Sequence, residues 1–129
     1  MRALVTGAGK RLGRAMALEL ARRGYDVAVH YASSQEAAEQ TAADVRDLGC
    51  NAQTLRADLL KETETETLLP AAAEALGGPI ACLINNASIF EFDDIQTASR
   101  DSWDRHMESN LRAPFILTQQ LAAQDLPLQ

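Results

Sequence analysis

The chain has 129 residues, 47% of them hydrophobic and 23% charged, with a formal net charge of −6. This is the balance of one soluble globular domain, not of a disordered chain, and no apolar run is long enough to form a transmembrane span. The acidic excess argues against a nucleic-acid partner held by general electrostatics.

Strand and helix patterns alternate from the first residue. Ala3-Leu4-Val5 is a short apolar run ending in Thr6-Gly7, which predicts a buried strand and then a tight turn. Gly13 to Arg23 is predicted helical. Leu12, Met16 and Leu20 recur four apart and define its expected apolar face, Glu19 and Arg23 form an i,i+4 pair, and Gly24 is a stop signal. Val27 to Tyr31 is the second predicted strand. Ser33-Ser34-Gln35-Glu36 has the form of a capping box opening a second helix, whose stripe is Ala38, Thr41, Ala42, Val45 and Leu48, with Gly49 after it. Ala52 to Ala57 is taken as a third strand from its place in the alternation. Glu62 to Leu76 is a third helix, in which Pro70 either makes a kink or marks the true start. Ile80 to Ile84 is the clearest strand: five apolar residues, then Asn85-Asn86. Asp101 to about Ala123 is a long last helix with a distortion expected at Pro114.

No repeat, low-complexity segment or linker divides the chain, so residues 1–129 are taken as one domain. Strands separated by helices of this length imply right-handed crossovers. The predicted fold class is α/β, a doubly wound parallel sheet with strand order 3-2-1-4 and helices on both faces. Its crevice lies beside the ends of strands one and four, where the order reverses.

The segment Thr6-Gly7-Ala8-Gly9-Lys10-Arg11-Leu12-Gly13 leaves a predicted strand and enters a predicted helix. Gly7 permits a sharp turn and a close backbone approach to a ligand. Gly13 is expected to let the helix pack closely on the sheet. Free N–H groups at a helix start favour a phosphate, and Lys10 and Arg11 add two cations there.

These residues, with Asn85-Asn86-Ala87-Ser88 after the fourth strand, resemble the short-chain dehydrogenase/reductase family. The usual cofactor turn of that family is T-G-x-x-x-G-x-G, and its later motif is N-N-A-G. Arg11 stands at the middle glycine, and Ser88 at the last glycine of the second motif. Both departures resemble the pteridine reductase-like branch, with its T-G-A-x-K-R-x-G turn, His-Tyr pair and N-N-A-S motif. The resemblance implies the N-terminal, cofactor-binding part of a Rossmann-type domain, incomplete at the C-terminus.

The end of the second strand selects the cofactor. An acidic residue there would accept the ribose hydroxyls and repel a 2′-phosphate. This chain instead has His30, Tyr31, Ala32, Ser33 and Ser34, with Arg11 expected across the crevice. A guanidinium and hydroxyls suit a phosphate, so NADP(H) is expected over NAD(H). Ser33 either caps the next helix or contacts the ligand, and His30 is either a packed strand-end histidine or a ligand contact. The resemblance implies that Asp58 contacts the adenine amino group and that the backbone of Leu59 contacts the ring. The alternative for Asp58 is a helix cap. It further implies that Asn85 stabilises the sheet, while Asn86, Ala87 and Ser88 meet the cofactor together with Gly7, Lys10, Arg11, Leu12 and Gly13.

Ser109-Asn110-Leu111-Arg112-Ala113-Pro114-Phe115 resembles the segment that holds the family's catalytic Asn, which makes Asn110 the catalytic candidate. Trp103, Met107, Leu111 and Leu117 form an apolar helix face, read either as sheet packing or as a subunit interface. Ile89-Phe90-Glu91-Phe92 either lines a substrate mouth or packs beneath a loop. The chemistry of the family needs a Ser and a Tyr-x-x-x-Lys pair. The tyrosines here are Tyr25 and Tyr31, followed four residues later by Val29 and Gln35. The expected function is NADPH-dependent hydride transfer to a carbonyl or imine of a small molecule, with a pteridine or dihydrofolate as the leading substrate. The alternative is a stand-alone or non-catalytic nucleotide-binding or interaction module. A homo-oligomer or a complementing C-terminal half is the expected partner, and no nucleic acid or membrane is expected. Cys50 and Cys82 are too few for a disulfide scaffold and show no metal spacing, so no metal is expected. Met1 to Thr6 lack the order of a signal peptide, and the cytoplasm is the expected compartment.

Overall fold

The computed structural model describes residues 1–126. The elements in chain order are β1 (Arg2–Val5), α1 (Arg11–Arg22), β2 (Asp26–Tyr31), α2 (Gln35–Asp47), β3 (Ala52–Arg56), α3 (Glu62–Leu76), β4 (Cys82–Ile84), α4 (Arg100–Met107), a π turn (Glu108–Arg112) and α5 (Ala113–Ala122). The sheet has four strands in the order β3-β2-β1-β4, and every pairing is parallel. This is the expected α/β arrangement of a Rossmann-type half.

Side chains alternate across the sheet and feed two cores. Val5, Val27 and Val29 face α1 and α2, and meet Ala17, Ala21, Ala38, Ala42 and Val45. Leu4 and Ala28 face α3 and α5, and meet Leu68, Leu69, Ala72, Leu76 and Leu117. The first core is built mainly from alanines, so α1 and α2 lie close to the strands. That closeness overturns part of the expected α1 face: Leu20 packs against this core, but Leu12 does not. Leu12 is 66% exposed, while Gly13, Ala17 and Ala21 are buried. On α2, Ala38, Thr41, Ala42 and Val45 are buried as expected, but Leu48 is exposed past the last turn. The capping box at Ser33–Glu36 is not formed: Ser34 is the N-cap and its side chain makes no cap hydrogen bond.

Both prolines are explained by the partners they lack. Helix α3 runs through Pro70, so that residue does not mark its start. Pro70 has no N–H for the Glu66 carbonyl. The side chain of Gln120 on α5 donates to that carbonyl at 2.6 Å, replacing the missing bond with a contact between helices. Pro114 follows the π turn, where the helix widens instead of ending. The predicted single last helix is therefore two helices joined by that turn. A capping box, Ser99 with Ser102, starts α4. Strand β4 is shorter than predicted, since Ile80 and Ala81 precede it, and all three of its residues are half-buried.

The predicted Trp103–Leu117 face also divides. Leu117 is fully buried against α3 and β1, whereas Trp103, Met107 and Leu111 point outward with Phe115. The cause is the π turn, which rotates the later residues relative to the earlier ones. Leu117→Ala should therefore cost about 2–5 kcal/mol of unfolding free energy in urea titrations. Leu111→Ala, at a site that is 64% exposed, should change it by less than about 1 kcal/mol.

Candidate functional site

A cleft of about 440 Å³ opens at the C-terminal ends of β1, β2 and β4. The glycine-rich turn, Gly7 to Gly13, forms its floor, and the β2 end, Tyr31 to Ser34, forms one wall. Asn86, Ala87 and Ser88 form the other wall. This is the switch point at which the strand order reverses.

The turn is shaped by two left-handed residues. Gly7 has φ +61°, a region open to glycine at no steric cost. Arg11 has φ +53°, where a side chain costs about 1–2 kcal/mol. Arg11 occupies the position of the missing middle glycine, so the backbone keeps the glycine conformation while the guanidinium is added at the cleft. Gly13 has a different duty from the one expected. A Cβ there would lie 2.1 Å from the Gly7 carbonyl oxygen and 2.5 Å from Asn86 Nδ2. The glycine thus allows α1 to close on its own turn and on Asn86, rather than on the sheet.

Three neighbours hold this turn. Asn86 Nδ2 donates to the carbonyls of Thr6 (3.0 Å) and Gly7 (3.1 Å). The Thr6 hydroxyl accepts from the N–H groups of Asn86 (3.0 Å) and Ala87 (2.9 Å) and donates to the Ile84 carbonyl (3.3 Å). From α2, the Thr41 hydroxyl shares its hydrogen between the carbonyls of Ala37 (3.2 Å) and Gly9 (3.4 Å), and Arg14 pairs with Asp44. From β2, His30 Nδ1 accepts from the Gly7 N–H at 3.0 Å, and its Nε2 lies 2.9 Å from the Ala57 carbonyl. His30 is 1% exposed. Burial holds its pKa below the ordinary histidine value, partly offset by the bond to Ala57.

The sheet-stabilising duty expected of Asn85 is carried by Asn86, which also lines the cleft. Asn86 stabilises the strand ends, while Asn85 is exposed and donates to Thr118 on α5 at 3.3 Å. His30 borders the cleft, but both ring nitrogens are engaged by backbone. Ser33, free of the capping duty, lines the cleft with Lys10, Arg11 and Tyr31. Leu12 lines it too, which accounts for its exposure. Asp58 and Leu59 do not line it. Asp58 Oδ1 accepts from the Leu60 N–H at 3.0 Å, forming a local turn before α3, and Leu59 is buried in the core. This is not the helix cap named as the alternative, since the N-cap of α3 is Lys61.

Asn110 lies in the π turn, on the other side of β4. Its Nδ2 donates to the Ile89 carbonyl and its Oδ1 accepts from the Ile89 N–H, both at 2.9 Å. One helical turn earlier, His106 Nε2 accepts from the Glu91 N–H at 3.1 Å, and Arg105 forms an ion pair with Glu91 at 2.6 Å. The segment from Ile89 to Glu91 is thus pinned along α4. Phe90 and Phe92 are left 86% and 84% exposed, so they do not pack beneath a loop. The Asn110 amide acts on this segment, not on a group in the cleft.

The family model for short chain dehydrogenases matches residues 1–126. The chain belongs to the short-chain dehydrogenase family. The FolM alternative dihydrofolate reductase 1 from Brucella suis, crystallised in complex with NADP, is similar at TM-score 0.92 and 34% identity over 99% of this chain and 52% of that one. A short-chain dehydrogenase from Burkholderia cenocepacia, also crystallised in complex with NADP, is similar at TM-score 0.89 and 35% identity, over 94% and 49% of the two chains. Among curated relatives, the short chain dehydrogenase mdpC of Emericella nidulans is 36% identical over 92% of this chain and 44% of its own length. The chain spans about half the length of the relatives it matches. No helix among the described residues is long and apolar enough to cross a membrane.

Two residues hold the turn in ways the sequence pattern does not predict. Thr6 ends a strand and opens the glycine-rich motif, and its buried hydroxyl also joins β1 to β4. A hydroxyl at the last buried position of an apolar strand was the available signal. Thr41 was read as part of an apolar stripe, and its bond to Gly9 had no signal in the periodicity. Gly13→Ala should force the turn open, because the clash is with backbone. We expect amide exchange at Gly7 and Asn86 to rise at least about tenfold while α3 and α5 keep their protection.

Proposed function

We propose that this chain carries the NADP(H) site of a short-chain reductase. The observation behind this reading is the joint presence in one cleft of a glycine-shaped turn, two cations and the hydroxyls of the β2 end, with no carboxylate in the lining. Solved relatives of the same fold that hold NADP support it. Gly7 and Gly13 leave room for a pyrophosphate against the start of α1. Lys10 and Arg11 balance its charge, and Arg11 with Ser33 and Tyr31 recognises the 2′-phosphate. Ala87 and Ser88 bound the ribose on the β4 side.

When bound, NADPH supplies hydride, and the acceptor is a carbonyl or imine of a small molecule. A pteridine or dihydrofolate is the leading class, supported by the Lys10-Arg11 turn, His30-Tyr31, the Asn85–Ser88 motif and the likeness to the FolM reductase. This chain contributes positioning on the substrate side: Asn110 and His106 hold the Phe90 segment. The proton-donating Tyr-x-x-x-Lys pair and its Ser are not in this sequence. A complementing C-terminal half supplies them in this reading. The outward row Trp103, Met107, Leu111 and Phe115 is the proposed contact of a homo-oligomer.

The test is a pair of titrations. The chain should bind NADPH more tightly than NADH, and Arg11→Ala should weaken NADPH by about tenfold or more with a smaller effect on NADH. Equal losses for both would remove Arg11 from the 2′-phosphate. The chain alone should show no reductase turnover with NADPH, and turnover would overturn the assignment of the proton donor to another segment.

A further inference from the structure

The ring of His30 has one hydrogen-bond arrangement that satisfies both of its neighbours. The Gly7 N–H can only donate, so Nδ1 must be unprotonated. The Ala57 carbonyl can only accept, so Nε2 must carry the hydrogen. The ring is therefore neutral and in the Nε2–H form. No water replaces either partner readily, because the residue is 1% exposed. The bonds also join three segments: the glycine-rich turn after β1, the end of β2 and the end of β3. Next along the strand, the His30 carbonyl accepts from the Ala8 N–H at 3.0 Å. Residue 30 therefore holds the turn from both its main chain and its side chain.

We propose that His30 is the positioning residue of the nucleotide turn and that cofactor binding requires its neutral Nε2–H form. The proposal rests on the nucleotide reading of the cleft and adds a protonation condition to it. A proton on Nδ1 would put two N–H groups head to head at 3.0 Å. The turn could then relax only by moving Gly7, whose φ of +61° and contacts with Asn86 leave it little room. Several titratable or charged groups surround the ring. Lys10, Arg11 and Tyr31 share the cleft lining with it, and Asp58 follows Ala57 at the end of β3. Among the described residues, none of these four hydrogen-bonds the ring. Burial disfavours a positive charge on the ring.

The direction of the effect follows. The native state favours the neutral ring, so binding is complete above the ordinary histidine range and falls as pH drops through the depressed value. Below that point the competent fraction shrinks about tenfold per pH unit, and the apparent Kd rises by the same factor. The 2′-phosphate also titrates near pH 6, so the comparison must be between variants that share it. His30→Asn is suited to this. Its Oδ1 occupies the place of Nδ1, still accepts from Gly7, and does not titrate.

The experiment is a titration of the full chain with NADP⁺ between pH 5 and 8, for the wild type and His30→Asn. In parallel, ring nitrogen shifts and Gly7 amide exchange are followed by NMR in the wild type. The expected result is a steeper loss of affinity at low pH in the wild type than in His30→Asn. The Nε2–H tautomer should be present at neutral pH, and Gly7 exchange should accelerate as the ring takes a proton. Parallel pH profiles in the two proteins, or a Gly7 amide that stays protected while the ring titrates, would overturn the proposal. If His30→Asn fails to fold, the NMR arm decides alone. If the wild type binds no NADP⁺ at any pH, the nucleotide reading fails, and the Gly7 amide still decides the role of His30.

Discussion

The exit of β1 is the constraint on which the rest of the structure depends. Within eight residues the chain must leave the sheet at Thr6, turn left-handed at Gly7 and again at Arg11, and enter α1 with Gly13 against the carbonyl of Gly7. A free chain would not hold such a path. Here three backbone groups of the turn have an assigned partner: the Gly7 N–H on His30, its carbonyl on Asn86, and the Gly9 carbonyl on Thr41. The order β3-β2-β1-β4 brings those partners to one place, since β2 and β4 flank β1. The topology and the turn therefore support each other.

The two sides of β4 are built differently. On the nucleotide side, small residues and buried polar side chains lock backbone to backbone. On the α4 side, the segment after Asn86 has no strand partner among the described residues and is held by side chains instead. Asn110 and His106 grip alternate residues, Ile89 and Glu91, which leaves Phe90 and Phe92 facing outward. The π turn makes this possible, because it carries Asn110 to Ile89 while returning α5 to its place against α3. Gln120 completes the seam by satisfying the carbonyl that Pro70 leaves open. The first side is suited to gripping a nucleotide, and the second presents apolar surface to further atoms.

Much of this was legible in the residues. The alternation of apolar runs with amphipathic stretches carried the strand order, and helix α3 was read to its boundaries. The glycine-rich turn and the residues after β4 were read as one cleft, and they share one. What failed was the choice among residues of similar type. Large apolar residues on α1 suggested a Leu12–Met16–Leu20 face, but close packing on a valine-rich sheet buries Ala17 and Ala21, with Leu20 beside them, and leaves Leu12 exposed. Asn85 and Asn86 are chemically identical, and only the strand's end decided which amide turns inward. Ser33-Ser34 matched a capping pattern whose hydrogen bond is absent. Leu117 shared a spacing with Trp103 and Met107 until the π turn shifted the phase. On α1 and at the two amides the deciding factor was a tertiary contact that no local pattern encodes.

The cleft between the glycine-rich turn and the residues after β4 should bind a nucleotide without further segments. Amide shift mapping during an NADP⁺ titration is the test. Saturable shifts are expected at Gly7 to Gly13, at Tyr31 to Ser34 and at Asn86 to Ser88, with little change along α5. Shifts centred instead on Phe90 to Trp103, or none at saturating NADP⁺, would contradict it.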